Sequence, residues 1–129
     1  MLFLKRNLTF VVTILLLTLT GCNLFQKSPT EIHLPYGNPS NATNSPENPN
    51  NYLIEKSQYV LSYNRDRGTA NWVSWQLTKS WLGNTDRQDD FRPDESLPPG
   101  WYRVEPDDYR GSGFDRGHLT PSADRSRSK

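Results

Sequence analysis

Apolar and polar positions alternate with a period of two along two neighbouring segments in the middle of the chain. The positions that share a face are Tyr59, Leu61 and Tyr63 in the first segment, and Val73, Trp75 and Leu77 in the second. Both segments are rich in aromatic and β-branched residues, which strands favour. Residues 64–68, Asn-Arg-Asp-Arg-Gly, have the chemistry of a turn. The pattern therefore predicts an antiparallel hairpin with one apolar face.

Shorter patterns elsewhere in residues 51–129 predict further elements. Tyr52–Lys56 is typical of a turn followed by a short strand, and Trp101–Val104 also predicts a short strand. Prolines and a glycine within 93–100 exclude regular structure there. Glu105–Tyr109 combines an early proline with acidic residues, which predicts one helical turn.

A polar segment precedes the body. Residues 23–50 are rich in Asn, Pro and Ser, and the run at 40–51 has too few large apolar side chains to fold alone. The segment is predicted to be a spacer or a long loop, with a possible short strand near 31–35. His33 is then a strand residue without a chemical role. These boundaries divide the chain into 1–22, 23–50 and 51–129.

Residues 1–22 are typical of a signal peptide. Lys5 and Arg6 precede an apolar run from Leu8 to Leu19 that is short for a membrane span. The run ends in Leu-Thr-Gly-Cys, which resembles the lipobox of bacterial lipoproteins, so lipidation of Cys22 is expected. The alternative is an ordinary signal peptide with a chance cysteine. The protein is expected to be exported, and either anchored by lipid at the cell envelope, in the periplasm or at the outer membrane, or secreted.

Charge and cysteine content narrow the function classes. The chain has a net charge of +1 at pH 7, and removal of the signal peptide leaves 13 basic and 14 acidic residues. A globally basic surface for nucleic acid is therefore excluded, and any contact with a polyanion has to be local. Cys22 is the only cysteine, which excludes a disulfide framework and a cysteine-based metal site.

The candidate chemistry lies in Asp115-Arg116-Gly117-His118. Histidine is the side chain that exchanges a proton near neutral pH, an arginine can hold phosphate oxygens, and an aspartate can orient an imidazole. The glycine permits a backbone conformation or a close approach that a side chain would block. The same residues also fit a structural interpretation, with an Asp115–Arg116 salt bridge and His118 at a strand end. Spacing alone leaves both interpretations open.

Three tryptophans raise a second possibility. Trp72, Trp75 and Trp81 could stack on nucleic-acid bases. They could equally form core and edge packing in a small domain that is short of apolar residues. The scarcity of other large apolar side chains favours packing.

The motif and several other segments resemble a known family. Asp115–His118, followed by Leu-Thr-Pro-Ser-Ala-Asp-Arg at 119–125, is similar to the active-site signature of the DNA/RNA non-specific endonucleases, which are sugar-nonspecific nucleases of the ββα-metal class. Similar segments run from about residue 31 to about 127 and include 37–40, 63–73, 81–84, 87–89, 91–94 and 111–113. The resemblance implies an α+β fold of the ββα-metal (His-Me finger) type, with mainly antiparallel hairpins in this part.

The resemblance also implies roles for individual residues. His118 matches the general base that deprotonates the attacking water, and Arg87 matches the arginine that binds the scissile phosphate and its transition state. Asp115 and Arg116 match residues that support the site. DNA and RNA are the implied partners, cut with little sequence preference. Mg²⁺, or alternatively Mn²⁺, is the implied metal, bound mainly through water and one asparagine. Among the remaining arginines, Arg92 and Arg125 are candidates for holding substrate phosphate.

One feature departs from the family. No asparagine follows His118, whereas the family's metal-binding asparagine lies downstream of the histidine. The chain is therefore expected to hold the N-terminal half of the domain and to be inactive, or nearly so, on its own. The rival function is a non-catalytic envelope lipoprotein that binds nucleic acid or a partner through its aromatic hairpin. A third expectation is a product that does not fold.

Overall fold

The protein is described by a computed structural model that covers residues 26–127. The predicted signal peptide at 1–22, with its lipidation site at Cys22, lies outside the described residues. Within residues 26–127, no helix has both the length and the apolar character that crossing a membrane requires.

The centre of the fold is a three-stranded antiparallel sheet with the order β1-β2-β3. The strands are β1 Tyr52–Lys56, β2 Tyr59–Asn64 and β3 Thr69–Ser74. The predicted strand at 52–56 and the predicted hairpin are confirmed, although β3 ends before Leu77. Gly68 has a φ of +63° in the β2–β3 turn, a value that glycine adopts without strain.

A bulge changes which side chains of β3 share a face. The register shifts between Ser62 and Tyr63, so that Leu61 pairs with Val73 but Tyr63 pairs with Ala70. Val73 and Ala70 consequently pack on the same side, against the core. The predicted period-two face of β3 is correct for Val73 and does not extend to Leu77, which is exposed beyond the strand.

The main core lies on one face of the sheet. Its buried members are Ile54, Leu61, Tyr63, Leu97 and Trp101. Trp101 lies edge-on to Tyr52 at a centroid distance of 5.0 Å and stacks at 6.3 Å from Tyr63. The segment 93–100 is irregular, as predicted, and it brings Leu97 onto the sheet.

The opposite face is covered by the segment before the sheet. Residues Pro29–His33 form helix α1, so the prediction of a short strand near 31–35 was wrong. Ser28 and Glu31 form a capping box, and Pro29 occupies the first turn, so the local sequence favours a helix. His33 is 1% exposed; its Nε2 lies 3.0 Å from the carbonyl oxygen of Ser57, and its Nδ1 accepts from the Gln76 amide at 3.0 Å.

Residues 38–51 pack against the sheet as a polar loop. Asn38 accepts from the Ala42 amide at 3.0 Å, and Thr43 forms a parallel bridge with Tyr52 of β1. Ser62, fully buried on β2, donates to the Asn51 side chain at 2.8 Å. Side-chain amides thus form the hydrogen bonds that backbone and hydroxyl groups need in a segment with few apolar residues.

Two further predictions concern the last third of the chain. No strand forms at 101–104, so that prediction was wrong; Trp101 is buried in the core instead of pairing with a strand. The predicted helical turn after Glu105 is confirmed as a 3-10 turn, Pro106–Tyr109. Further 3-10 turns occupy Pro49–Asn51, Lys79–Trp81 and Ser122–Arg125.

Candidate functional site

Asp115, Arg116, Gly117 and His118 lie together on an exposed loop that follows the turn at 111–113. None of their side chains forms a hydrogen bond or an ion pair with another residue of the part that the structure describes, 26–127. The predicted structural alternative, an Asp115–Arg116 salt bridge, is therefore not present there. An added Cβ at Gly117 would meet nothing within 4 Å. The loop presents all four residues to solvent.

The ring of Phe91 holds two residues of this loop. Its centroid lies 5.1 Å from that of the His118 imidazole, with an interplanar angle of 63°. The Arg116 guanidinium carbon lies 5.2 Å from the same centroid. Both distances fall within the ranges for aromatic pairs and cation–π contacts. Sequence reasoning gave Phe91 no role of its own, because a single aromatic in an irregular segment carries no periodic signal.

An open cavity of about 210 Å³ lies between the sheet and this loop. Apolar side chains of β1 and β2 form its floor, among them Ile54 and Leu61. Arg92, Arg116 and Gly117 line it on the loop side. The structure thus brings Arg92, a predicted substrate-binding residue, and Arg116, a predicted support of the site, to one cavity, which Gly117 and Leu119 on either side of His118 also line. Asp94 and Glu105 line the same cavity, so its two cations are accompanied by two carboxylates.

Asp94 fixes the segment that carries Phe91 and Arg92. It accepts from Lys56 Nζ at 2.9 Å and from Ser96 Oγ at 2.6 Å. Burial acts to raise the pKa of the Asp94 carboxyl, but these hydrogen bonds outweigh burial and hold the pKa below its usual value. Because Lys56 belongs to β1, the ion pair attaches the irregular segment to the sheet.

Arg87 forms its ion pair outside the Asp115–His118 loop. Its guanidinium Nη2 is 3.1 Å from Asp89 Oδ1, and both side chains are largely exposed. Arg92 likewise forms an ion pair with its near neighbour Asp90. Within residues 26–127, no hydrogen bond or ion pair links Arg87 to the histidine loop. An exposed surface pair of this kind is weak, so Arg87 can exchange its carboxylate for another anion at little cost.

Arg125 docks the turn that follows the motif onto the sheet. Its Nε and Nη2 donate to the Gln58 carbonyl at 3.0 and 2.8 Å, and its guanidinium carbon lies 4.7 Å from the Trp81 ring centroid. Burial lowers the pKa of the Arg125 guanidinium, with neighbouring Asp124 acting in the opposite direction. These contacts favour a structural role, and its predicted role in binding substrate stays a prediction.

A backbone clamp closes the region that carries the candidate site. The Arg127 amide donates to the Trp81 carbonyl at 3.1 Å, and the Thr85 amide donates to the Ser126 carbonyl at 2.9 Å. A Cβ on Gly83 would meet the Ser126 oxygen at 2.7 Å and Arg127 Cα at 2.8 Å, so only glycine fits there. Gly83 was missed as a structural requirement, although it lies in a family-like segment.

The tryptophans are used for packing in the described chain. Trp75 Nε1 donates to Asp124 Oδ2 at 3.0 Å, and Trp72 Nε1 donates to Ser40 Oγ at 2.8 Å. Trp81 lies beneath Arg125 and 6.0 Å from the His33 ring. Their contacts agree with the packing interpretation rather than with free platforms for bases.

A metal site built from several carboxylate, imidazole or thiolate ligands is not found among the described residues. Within 26–127, no group of three or more His, Cys, Asp or Glu side chains is close enough to hold an ion. Asp115 is the only carboxylate within the motif itself, and it is exposed.

Comparison with known proteins identifies the family. The model of the DNA/RNA non-specific endonuclease family matches residues 37–129. A nuclease of Nostoc sp. (strain PCC 7120) is 54% identical over 125 residues, which cover 90% of this chain and 46% of the relative. Nuclease C1 of Cunninghamella echinulata is 35% identical over 74% of this chain and 36% of its own length.

Human mitochondrial endonuclease G is 49% identical over 74 residues, which cover 55% of this chain and 24% of that protein. The chain thus spans less than half the length of these relatives. The family match includes both the exposed Asp115–His118 loop and the segment with Arg87 and Phe91. The chain therefore belongs to the DNA/RNA non-specific endonuclease family.

Proposed function

We propose that the protein is a metal-dependent endonuclease that hydrolyses phosphodiester bonds in DNA and RNA without sequence specificity. The observation that carries the proposal is the exposed His118, which shares the Phe91 ring with Arg116 and lies in sequence between Gly117 and Leu119, two residues that line a cavity together with Arg92. The motif that contains it falls within the family match. The relatives named nucleases and endonuclease G support the same reaction.

In the proposed reaction, His118 accepts a proton from water, and the resulting hydroxide attacks phosphorus. The bond from phosphorus to the leaving 3′ oxygen breaks, and that oxygen takes up a proton. Arg87 neutralises the charge that develops on the phosphate oxygens, because a guanidinium donates two parallel hydrogen bonds to them. Asp115 and Arg116 support the loop, and Arg92 contacts a phosphate of the strand.

Mg²⁺ is the proposed metal, with Mn²⁺ as the alternative. When bound, such an ion stabilises negative charge on the phosphate and the leaving oxygen. No step above passes through it. Contacts to phosphate rather than to base edges explain the proposed lack of sequence preference. Export with lipid attached at Cys22 is proposed from the sequence pattern of residues 1–22.

Plasmid nicking with added Mg²⁺ tests the proposal. Wild-type protein with residues 23–129 is expected to convert supercoiled DNA to the open circle only slowly, in line with the expectation of little activity, and His118→Ala to abolish that residual conversion. Arg87→Ala is expected to lower kcat by a factor of about 100 to 1,000, as loss of a transition-state donor does. Arg110→Ala is the matched control, because Arg110 is also exposed and paired with a near neighbour, Asp107. It should leave the rate unchanged.

Two outcomes would contradict the proposal. Nicking that survives His118→Ala would exclude this histidine as the base. Binding of single-stranded DNA without any cleavage, weakened by salt, would favour the non-catalytic lipoprotein instead. The same assay tests the expectation that residues 23–129 alone are inactive or nearly so.

A further inference from the structure

We propose that Phe91 is the positioning residue of the candidate active site, fixing the imidazole of His118 and the guanidinium of Arg116 with one ring. The inference rests on the proposed function of His118 as the general base. Phe91 does not contact the reacting atoms in this proposal, and its effect is exerted entirely through the two motif residues.

The contacts around His118 single out Phe91. No side chain among residues 26–127 forms a hydrogen bond with the imidazole, which is exposed on its loop. The Phe91 ring, at 5.1 Å and an angle of 63°, is the contact that restricts how the imidazole is oriented. Edge-to-face packing of this kind has a preferred geometry, so it selects one ring orientation over others.

Arg116 is held by the same ring. Its guanidinium carbon lies 5.2 Å from the Phe91 centroid, within the range of a cation–π contact. Arg116 and His118 are separated by a single glycine, which adds no side-chain contact of its own. One aromatic ring therefore contacts both the proposed base and the Arg116 guanidinium.

Phe91 can do this because its own position is fixed from the sheet side. It is half-buried and lines the cavity together with Ile54 and Leu61. Three residues further along, Asp94 is bound to Lys56 of β1 and to Ser96. The ring thus links the sheet to a loop whose motif side chains form no hydrogen bond within residues 26–127.

Positioning matters for this chemistry because a general base has to lie within hydrogen-bonding reach of the proton that it removes. Displacement of a reacting group by about 1 Å costs roughly 100-fold in rate. Loss of one aromatic pair and one cation–π contact releases the loop only partly. We therefore expect kcat to fall roughly 10-fold in Phe91→Leu, with little change in KM.

The first experiment measures position without activity. His33 and His118 are the only histidines in the chain, so their ring protons are assigned in NMR spectra by comparison with His118→Gln. A nuclear Overhauser effect between the rings of Phe91 and His118 is expected in the wild-type protein. In Phe91→Leu, the His118 resonances should shift while those of buried His33 stay in place. Absence of the Overhauser effect would overturn the proposal even if Phe91→Leu failed to fold.

The second experiment measures catalysis in matched variants. Phe91→Tyr keeps the ring and should retain wild-type kcat and His118 chemical shifts. Phe114→Leu is the control, because Phe114 lies shortly before His118 in the sequence, is 76% exposed, and forms no aromatic pair within residues 26–127. Equal kcat in Phe91→Leu and Phe91→Tyr would overturn the positioning role. If wild-type nicking does not depend on His118, the proposed function fails, whereas the NMR result still decides where Phe91 holds the ring.

Discussion

Replacement of Arg125 by lysine separates a structural role from a role in binding substrate. Lysine keeps the positive charge but lacks the planar fork that donates twice to one oxygen. In the structure, Nε and Nη2 of Arg125 both donate to the Gln58 carbonyl, and the guanidinium lies over Trp81. A lysine ammonium can keep one hydrogen bond to this carbonyl and loses the flat contact with the indole.

The expected loss of stability follows from these contacts. A hydrogen bond from a charged donor contributes about 1.5–3 kcal/mol, and a partly exposed cation–π contact about 0.5–1 kcal/mol. Burial already opposes the charged form of Arg125, as its lowered pKa indicates, and this offsets part of the gain. Arg125→Lys is therefore expected to lower the free energy of unfolding by about 1–3 kcal/mol.

Urea denaturation of the purified protein, followed by tryptophan fluorescence, measures this change. The four tryptophans report unfolding together, and one of them, Trp81, lies under Arg125. Arg110→Lys is the matched control, because Arg110 pairs with Asp107 on the surface and should change stability by no more than about 0.5 kcal/mol. The salt dependence of DNA binding is measured in parallel.

A different pattern would refute the structural reasoning. If Arg125→Lys unfolds at the wild-type urea concentration, the contacts with Gln58 and Trp81 do not stabilise the protein. If Arg125→Met at the same time binds DNA more weakly, with a salt slope reduced by about one phosphate contact, Arg125 binds substrate as the sequence predicted.

Two other substitutions test the attachments of the candidate site. Gly83→Ala places a methyl group against the backbone of Ser126 and Arg127, and we expect it to lower the free energy of unfolding by about 1–3 kcal/mol, measured in urea; wild-type stability would show that the clamp does not form. Asp94→Asn should reduce the loss of stability at acid pH. The Asp94 pKa is lowered in the folded state, so the stability that the ionised carboxylate contributes is present above its unfolded pKa of about 3.9. That stability is lost as the pH falls through the folded pKa. Acid unfolding is followed by circular dichroism. If the two proteins lose stability equally at low pH, Asp94 is excluded as a source of the acid sensitivity.

The hairpin could be predicted because its signal is local. Leu61 and Tyr63 alternate with polar or opposite-face residues, and a glycine-containing turn follows, so period and turn chemistry agree. Helix α1 also has a local signal, the capping box of Ser28 and Glu31 with Pro29 in the first turn, whereas the apolar residues near 31–35 are by type equally compatible with a strand. The bulge in β3 had no equivalent signal in the sequence.

The candidate site was predictable in its residues and not in its geometry. His118 was found through its motif, whereas its contact with Phe91 joins segments that have no regular structure to relate them. The same applies to Arg125, whose sequence neighbourhood indicates charge but not the Gln58 carbonyl that it binds. Long-range contacts between irregular segments are decided by packing, and no periodicity records them.

The hydrogen bonds between residues 81–85 and 126–127 turn the intervening chain into a closed loop. Breaking these contacts at the base of the loop frees both of its ends at once, whereas Leu97 and Trp101 keep its middle in the core. Arg87 and His118 both lie inside the loop, far apart in sequence. The amides of Thr85 and Arg127, which form that base, should therefore exchange with solvent deuterium at a common free energy. Opening of this clamp therefore frees the ends of the segment that carries Arg87 and His118 without unfolding the sheet.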